Sequence, residues 1–413
     1  MQDTELYHHI LGVEAPWQVV KVELNTDDEA VRIYIDFNGR QAEFHCPECG
    51  QYANLYDRRE ARSWRHLDSC QFKTYLVASL PRVSCKKHGI LTAKVFWCEP
   101  NSRFTAMFER FAIDVLKATQ VQSSAARLLR VSADQIEYLM GKCVERGLER
   151  RDPSEPIPSV GLDEKSFQKG HSYASVLSDL KRGRVIDLVE HRTQEAAIKL
   201  LNLSLSPQQK RGVRSVTMDL WTAFSSAKAA VLPHADIVHD RYHVAGYLGK
   251  AVDYTRKDEH RRLSRKQDDS LAKTKYLWLR SPATLSAKQE QALQALTGLD
   301  LETAKVWAFK ECFRQFFECS TEYGARAFFR QWYEAALALG NLHLTRAANL
   351  LSQHLDGLLS YVRHRVTNAL AENLNGQIQR LKTNARGFRR FANFRIAILF
   401  YLGKLDLYPQ RFR

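Results

Sequence analysis

Three acidic residues occupy positions at which carboxylates can gather around metal ions. Asp163 and Asp219 stand at or near the ends of short apolar runs that predict strands, and Glu372 lies within a helical pattern. Clustered carboxylates repel each other by roughly 4 kcal/mol per pair at ~4 Å with an effective dielectric of about 20, so cations must fill such a cluster. Two Mg²⁺ ions about 3.5–4 Å apart would activate a water or hydroxyl and stabilise the leaving oxygen of a phosphodiester. The predicted chemistry is the cutting or joining of DNA strands.

Other acidic residues near predicted strand ends compete for these roles. They are Glu164, Asp179, Asp187, Asp236 and Asp240. We favour Asp163 and Asp219 because the predicted topology puts their strands side by side, so that the two carboxylates can face each other. Asp240 and His243 form a D-x-x-H pair that either supports the active site or caps a helix, and the sequence favours neither interpretation.

A second metal site is predicted near the N-terminus. Cys46-Pro-Glu-Cys49-Gly and Cys85-Lys-Lys-His88-Gly are two knuckles, each followed by a glycine that lets backbone amides fold around a thiolate. Cys46, Cys49, Cys85 and His88 suit one tetrahedral, structural Zn²⁺ ion, and a hairpin over 51–83 would bring the knuckles together. The alternative is a set of free buried thiols with an exposed histidine. Substitutes for the fourth ligand are His45, His66, Cys70 and Cys98.

The stretch 123–141 predicts a helix, a tight turn and a second helix. Ser132 and Gln135 have the spacing of a capping box, and one apolar stripe follows on the second helix. This outline is that of a helix-turn-helix, and the residues that could meet phosphates or base edges are Arg127, Arg130, Gln135, Tyr138 and Lys142. Asp134 and Glu137 weaken the case, and an ordinary pair of packed helices is the alternative.

The C-terminal segment from residue 359 carries eleven Lys or Arg residues against only Glu372 and Asp406. A carboxylate within so basic a strip fits a metal site that receives a phosphate backbone, although a solvated charged face would look similar. The candidate DNA contacts here are Arg380, Lys382, Arg386, Arg389 and Arg390. Trp278, Trp307 and Trp332 are interpreted as core residues, with stacking on an unpaired base as the alternative for one of them.

Composition agrees with a nucleic-acid partner. The 413 residues have a formal charge of +15 and a pI near 9.4, which favours a polyanion.

No apolar run approaches the ~20 residues that span a membrane, and the N-terminus does not resemble a signal peptide, so we expect a cytoplasmic protein that does not enter membranes. Five of the eight cysteines lie in the first hundred residues, which in a cytosolic chain indicates metal rather than disulfides.

The elements that must position these residues change character along the chain. Residues 17–24 and 31–37 alternate as a β-hairpin, and from Phe104 a helical period takes over, with an apolar face predicted from Phe104, Met107, Phe108, Phe111, Val115 and Leu116. A proline-rich linker at 151–158 precedes strands at 159–167, 172–180 and 184–191, a helix from Gln194, a strand at 213–219, a helix over 222–231 and a strand at 235–239. Three antiparallel strands followed by helix, strand, helix and strand is the order of an RNase H-like sheet.

The predicted fold class is therefore a multidomain α+β protein in five parts. They are a zinc-binding β module at 1–100, a helix-turn-helix domain at 101–152, an RNase H-like α/β core beginning at 153–243, an all-helical insertion at 244–358 and the helical end of the core at 359–413.

The order of these motifs resembles that of the DDE transposases of bacterial insertion sequences, of the ISL3 type. The likeness rests on both cysteine knuckles, the helix pair, Val160-Gly-Leu-Asp163-Glu, Val216-Thr-Met-Asp219, Asp240-Arg-Tyr-His243-Val, Asn368-Ala-x-x-Glu372-x-x-Asn375-Gly, and Arg386-Gly-Phe388 onward. The resemblance implies an RNase H-like core in which Asp163, Asp219 and Glu372 hold two Mg²⁺ ions, while the zinc module and helix pair recognise terminal inverted repeats. It also implies a homodimer or larger assembly that brings DNA ends and target DNA together. One departure is His88, where the family usually has cysteine.

Two rival functions remain open at the level of sequence. A DNA-binding regulator could retain the zinc module and helix-turn-helix without catalysis, and an RNase H-like nuclease could select a DNA structure rather than a repeat sequence. The intact acidic triad disfavours the regulator, and binding to a defined repeat would disfavour the structure-selective nuclease.

Overall fold

The computed structural model describes residues 2–39, 42–168, 172–219, 221–239, 241–365 and 369–410, with only the backbone at 242, 243 and 369. The chain forms two compact units, one made of Met1–Arg150 with Leu405–Arg413 and the other of Arg151–Lys404. Over the described ranges, no helix is long and apolar enough to cross a membrane.

The first unit begins with a helix and a β-sheet. Helix α1 (Asp3–Leu11) precedes strands β1 (Trp17–Asn25), β2 (Ala30–Phe37), β3 (Asn54–Arg65), β4 (Lys73–Cys85) and β5 (Gly89–Thr92). The strand order is β1-β2-β4-β3, with β5 also paired to β4. The antiparallel pairs β1–β2 and β3–β4 confirm the predicted hairpins at 17–37 and 51–83. Alternate residues of β2 and β4, such as Ile33, Ile35 and Leu76, are buried because successive strand residues point to opposite faces.

Three helices complete the first unit: α2 (Ala106–Thr119), α3 (Gln122–Leu129) and α4 (Ala133–Glu149). Ser132 and Gln135 form the predicted capping box at the start of α4. The predicted apolar face of α2 is only partly right, because Met107 and Phe111 are 48% and 50% exposed whereas Ile113 is fully buried. Apolar residues occur on both sides of α2, so periodicity alone could not decide which side packs inward.

A buried ion pair links α2 to α4. The guanidinium of Arg146 donates to the Glu109 carboxylate at 2.6 Å, and Ser102 donates to the other oxygen of Glu109 at 2.6 Å. Burial lowers the pKa of Arg146, but Glu109 and Glu99 more than offset this effect, so the pKa is raised and the charge is retained.

The second unit contains a mixed sheet with strands β6 (Ser159–Ser166), β7 (Tyr173–Asp179), β8 (Arg184–Glu190), β9 (Ser215–Met218) and β10 (Asp236–His239). Helices α5 (Gln194–Ser204) and α6 (Pro207–Gly212) precede β9, and α7 (Thr222–Val231) connects β9 to β10. The order is β10-β9-β6-β7-β8; β6, β7 and β8 are antiparallel, whereas β9 and β10 run parallel to β6. The predicted succession of strands and long helices is confirmed, and the short α6 was not predicted.

The rest of the second unit is helical. It comprises α8 (Arg241–Ser264), α9 (Lys275–Leu279), α10 (Ala287–Thr297), α11 (Glu302–Cys312), α12 (Glu322–Ala338), α13 (Leu342–Gln353), α14 (Leu355–His364), α15 (Ala369–Asn384) and α16 (Phe391–Leu402), with 3₁₀ turns at Pro282–Thr284 and Phe313–Glu318. Trp278 and Trp332 are buried and Trp307 is half-buried against the same apolar cluster, which agrees with their interpretation as core residues. The division into five parts stays a prediction.

Candidate active site and metal centre

The two cysteine knuckles meet in the first unit. Cys46 Sγ lies 3.5 Å from His88 Nδ1, Cys49 Sγ lies 3.8 Å from Cys85 Sγ, and Cys85 Sγ lies 3.7 Å from His88 Nδ1. A tetrahedral zinc with Zn–S near 2.3 Å and Zn–N near 2.0–2.1 Å requires edges of about 3.8 Å between sulfurs and about 3.6 Å between sulfur and nitrogen. The observed edges match those values, so Cys46, Cys49, Cys85 and His88 form a ligand set of the size and shape that zinc prefers.

Backbone conformation and charge both prepare this cluster for a cation. Gly50 and Gly89 have φ of +70° and +72°, the left-handed region that each knuckle needs directly after its second ligand. Burial disfavours the Cys46 thiolate, but backbone N–H groups of Cys49 and Glu48 and the side chain of His88 lower its pKa to about 6. Cys46 and Cys85 raise the pKa of His88. These groups stabilise one another's charged forms, and a bound cation would replace the imidazole proton in that role.

Strand pairing brings two of the three predicted catalytic carboxylates to one place. Strands β6 and β9 are parallel neighbours in which Leu162 pairs with Met218, so Asp163 and Asp219 follow at the same level of the sheet. Parallel neighbours lie ≈ 4.8 Å apart, and residues at the same level point to the same face. Both aspartates line one small cleft together with residues of α15, which are Ala371, Leu374, Asn375 and Ile378.

Glu372 is carried by the helix that covers this cleft. It is exposed and does not line the cleft itself, and it lies one turn before Asn375 on α15. The helix makes two contacts with β6: Asn375 donates to Asp163, and Lys382 Nζ donates to the carbonyl oxygen of Ser166 at 2.6 Å. The role of Glu372 as the third carboxylate of the site stays a prediction.

Asn375 is a functional candidate to which sequence reasoning assigned no role. Its Nδ2 donates to Asp163 Oδ2 at 2.5 Å, and Lys165 Nζ lies 3.4 Å from the same oxygen. The signal that could have identified Asn375 is its spacing, three residues after Glu372 on one face of a helix. The Asp219 carboxylate in turn lies close enough to Tyr247 on α8 to add to the effect of burial in raising the pKa of that phenol.

The acidic site is more open than the cysteine–histidine cluster. Among the described residues, the cysteine–histidine cluster is the one set of three or more possible metal ligands whose atoms all lie within 4.8 Å of one another. The three carboxylates are spread more widely. Two Mg²⁺ ions about 3.5–4 Å apart, each with Mg–O near 2.0–2.1 Å, reach ligand oxygens up to about 8 Å apart, and carboxylate oxygens are the donors that Mg²⁺ prefers.

The residues predicted to contact DNA on α3 and α4 differ in exposure and in the contacts that their side chains make within the protein. Arg127 is exposed. Arg130 is held by Glu29 at 2.9 Å and Asp68 at 3.2 Å, Gln135 closes the capping box, and Tyr138 donates to the carbonyl of Asn101 at 2.7 Å. Lys142 pairs with Glu145 at 2.9 Å near the surface. Arg127 is thus the candidate that could contact a phosphate with least rearrangement.

The basic C-terminal residues lie on and after α15. Arg380, Arg386, Arg389 and Arg390 are exposed, whereas Lys382 is half-buried through its contact with Ser166. Of the predicted D-x-x-H pair, Asp240 lies outside the described residues, and His243 is described only as part of the first turns of α8. The pair therefore stays a prediction.

Comparisons with known proteins find similarity to transposases along almost the whole chain. A family model described as transposase, of the ISL3 type of DDE transposase, matches residues 160–398, and a second model, described as the zinc-finger of the transposases of IS204, IS1001, IS1096 and IS1165, matches residues 42–88. The transposase for insertion sequence element IS1001 of Bordetella parapertussis is 25% identical over 83% of this chain and 85% of its own length. The transposase for insertion sequence element IS1557 of Mycobacterium tuberculosis is 23% identical over 94% of this chain and 93% of its own length.

Proposed function

Because the chain belongs to the ISL3 family of DDE transposases, we propose that it binds the terminal inverted repeats of an insertion sequence and catalyses Mg²⁺-dependent DNA cleavage and strand transfer. One observation carries the catalytic part: Asp163 and Asp219 stand at the same level of neighbouring parallel strands and line one cleft beneath the helix that bears Glu372. The core proposed is RNase H-like, and the strand order β10-β9-β6-β7-β8 supports that assignment.

In this proposal Asp163, Asp219 and Glu372 hold two Mg²⁺ ions. When bound, the ions would activate the attacking water or hydroxyl and stabilise the leaving oxygen. Asn375 donates to one oxygen of Asp163 and the backbone N–H of Glu164 donates to the other, so the two hydrogen bonds together hold the orientation of this carboxylate. Glu372 completes the site from the helix, whose exposed flank leaves room for a DNA strand to approach.

The reaction proposed has two stages on the same site. Water first hydrolyses the phosphodiester at the end of the element, releasing a 3′-hydroxyl, and this hydroxyl then attacks a phosphodiester of target DNA, which forms one bond and releases another strand end. No covalent intermediate with the protein is needed, so no nucleophilic serine or tyrosine is required. The two reactions must act on ends that are far apart in the DNA, and we therefore propose a homodimer or larger assembly in the cytoplasm.

Recognition of the repeats falls to the zinc-binding module, the helix pair α3–α4 and the basic residues of α15 and beyond. Arg127, Arg130, Gln135, Tyr138 and Lys142 are proposed for the helix pair, where the exposure of Arg127 offers most support. Arg380, Lys382, Arg386, Arg389 and Arg390 are proposed for contacts to the phosphate backbone next to the site. The exposed positive charges of the four arginines would make binding strongly dependent on salt.

The test is cleavage and strand transfer by Asp219→Asn on DNA that carries the ends of the element, in the presence of Mg²⁺. Loss of both activities with unchanged binding to the ends is expected, because the substitution removes a negative charge needed by the ions and preserves shape. Asp356→Asn is the matched control, since Asp356 carries a 96% exposed side chain in the helical part of the same unit. Cleavage at the wild-type rate by Asp219→Asn would contradict the assignment.

A further inference from the structure

Trp221 stands apart from the other tryptophans of the chain. All seven lie in the described part of the chain, and Trp221 is the only one of them in the exposed class, with 43% of its surface accessible. It comes two residues after Asp219 and is the residue directly before α7. Exposing a large aromatic ring to water is unfavourable, so an exposed ring next to a catalytic carboxylate indicates a surface that is covered during function.

The ring of Trp221 is held in place by Arg192, which lies in the connection between β8 and α5. Its Nε1 donates to the carbonyl oxygen of Arg192 at 3.4 Å, and the guanidinium of Arg192 lies 5.1 Å from the ring centroid. Arg192 in turn lies 4.0 Å from the ring centroid of Tyr173, and Glu164 binds it at 2.9 and 3.1 Å. The result is a sandwich of two aromatic rings around one guanidinium, which Glu164 ties to β6, the strand that carries Asp163.

This arrangement favours a flat, uncharged partner. Glu164 neutralises Arg192, so the sandwich presents an aromatic surface without excess positive charge, which suits a nucleobase better than a phosphate. Arg192 lies over the Trp221 ring, and 43% of the surface of this residue stays accessible. Because the ring is already fixed by Arg192, stacking on it would cost little further conformational entropy.

The position of the ring relative to the site limits which base it can reach. Two residues of extended chain span at most about 7 Å, and a DNA strand advances about 3.4 Å per nucleotide along the duplex. With the lengths of the two side chains added, Trp221 therefore lies within a few nucleotides of a phosphate held at Asp219. Resting on the proposed DNA-cleavage function, we infer that Trp221 stacks on an unpaired nucleobase next to the scissile phosphate and so fixes the strand end in the active site.

The experiment pairs a change in the protein with a change in the DNA. End DNA is prepared with a single abasic nucleotide at each position within three nucleotides of the cleavage site, on either strand, and kcat/KM for cleavage is measured with wild-type and Trp221→Ala protein. Stacking of one base contributes enough that its loss should lower kcat/KM on the order of 5- to 150-fold. At one abasic position the wild type should fall to the level of Trp221→Ala, and the variant should lose nothing more.

Control variants separate stacking from a structural effect. Trp221→Phe should retain most activity because it keeps an aromatic face, and Tyr323→Ala, which removes an 85% exposed ring elsewhere in the unit, should be unchanged. Thermal melting checks that Trp221→Ala is folded. Full activity of Trp221→Ala, or additive losses at every abasic position, would overturn the inference.

A second readout does not require cleavage. In the Asp219→Asn background, end DNA carrying 2-aminopurine at the identified position, or at each position in turn, should lose fluorescence on binding, because stacking quenches this base. Adding Trp221→Ala should remove the quenching while binding persists. Equal quenching with and without Trp221 would refute the stacking. Failure of wild-type protein to cleave would instead refute the proposed function, so the two failures are distinguishable.

Discussion

Replacing Asn375 with alanine should lower kcat/KM for DNA cleavage about tenfold without weakening DNA binding. Asn375 donates to a carboxylate oxygen of Asp163 at 2.5 Å, and hydrogen bonds to charged groups contribute roughly 1.5–3 kcal/mol. The side chain of Asp163 is 29% exposed, so water compensates part of the loss and the lower end of that range applies. About 1.4 kcal/mol corresponds to a tenfold change in rate.

Asn375→Asp should have a different effect from Asn375→Ala. A carboxylate at this position would face Asp163, and two such charges ~4 Å apart repel by roughly 4 kcal/mol at an effective dielectric of about 20. Added cations offset that repulsion, so the Mg²⁺ concentration for half-maximal activity should change in Asn375→Asp, whereas Asn375→Ala should mainly lower the rate at saturating Mg²⁺.

The assay is cleavage of labelled end DNA across a Mg²⁺ titration, with binding measured in parallel. Asn373→Ala is the matched control, because Asn373 is exposed on the same helix and pairs with Gln377 rather than with the active site. If Asn375→Ala cleaves as fast as both the wild type and Asn373→Ala, then the contact with Asp163 does not position the carboxylate and the reasoning fails.

Three further outcomes follow from the structure. Purified protein should contain about one zinc per chain, and Cys49→Ser should lose it while His88→Cys retains it, as measured by metal analysis; a folded wild type without zinc would contradict the cluster. Arg146→Met should lower the free energy of unfolding by roughly 3–5 kcal/mol in a denaturant titration, because it leaves Glu109 buried without its partner, whereas an unchanged value would refute the ion pair. Burial, with a smaller contribution from His354, lowers the pKa of His239 from 6.5 to about 4. The unfolded chain therefore binds more protons, and stability should fall by at most about 3 kcal/mol as pH drops from 6.5 to 4; an equal fall in His239→Asn would exclude this histidine as the cause.

Most of the local structure could be predicted from the sequence because it follows from short-range rules. The hairpins at 17–37 and 51–83 follow from residue alternation, and the start of α4 follows from Ser132 and Gln135. The zinc ligands could be chosen from two knuckles and their glycines, since a turn around a thiolate is itself local. The fourth ligand could not be settled in this way: His45, His66, Cys70 and Cys98 competed with His88 until the pairing of β3 with β4 brought the second knuckle to the first.

The acidic site could be predicted only in part from the sequence, and the rest depended on tertiary structure. The sequence predicted Asp163 and Asp219 from their places at strand ends. Only the parallel pairing of β6 with β9 puts them at the same level of the sheet, because strand register depends on contacts between residues more than fifty positions apart. The hydrogen bond from Asn375 and the sandwich around Arg192 also depend on packing between distant segments. Residue type and spacing therefore determined which chemistry this chain can perform. Tertiary packing decided which neighbouring side chains orient the carboxylates, because contacts across a sheet and with a covering helix leave no periodic signal in the sequence.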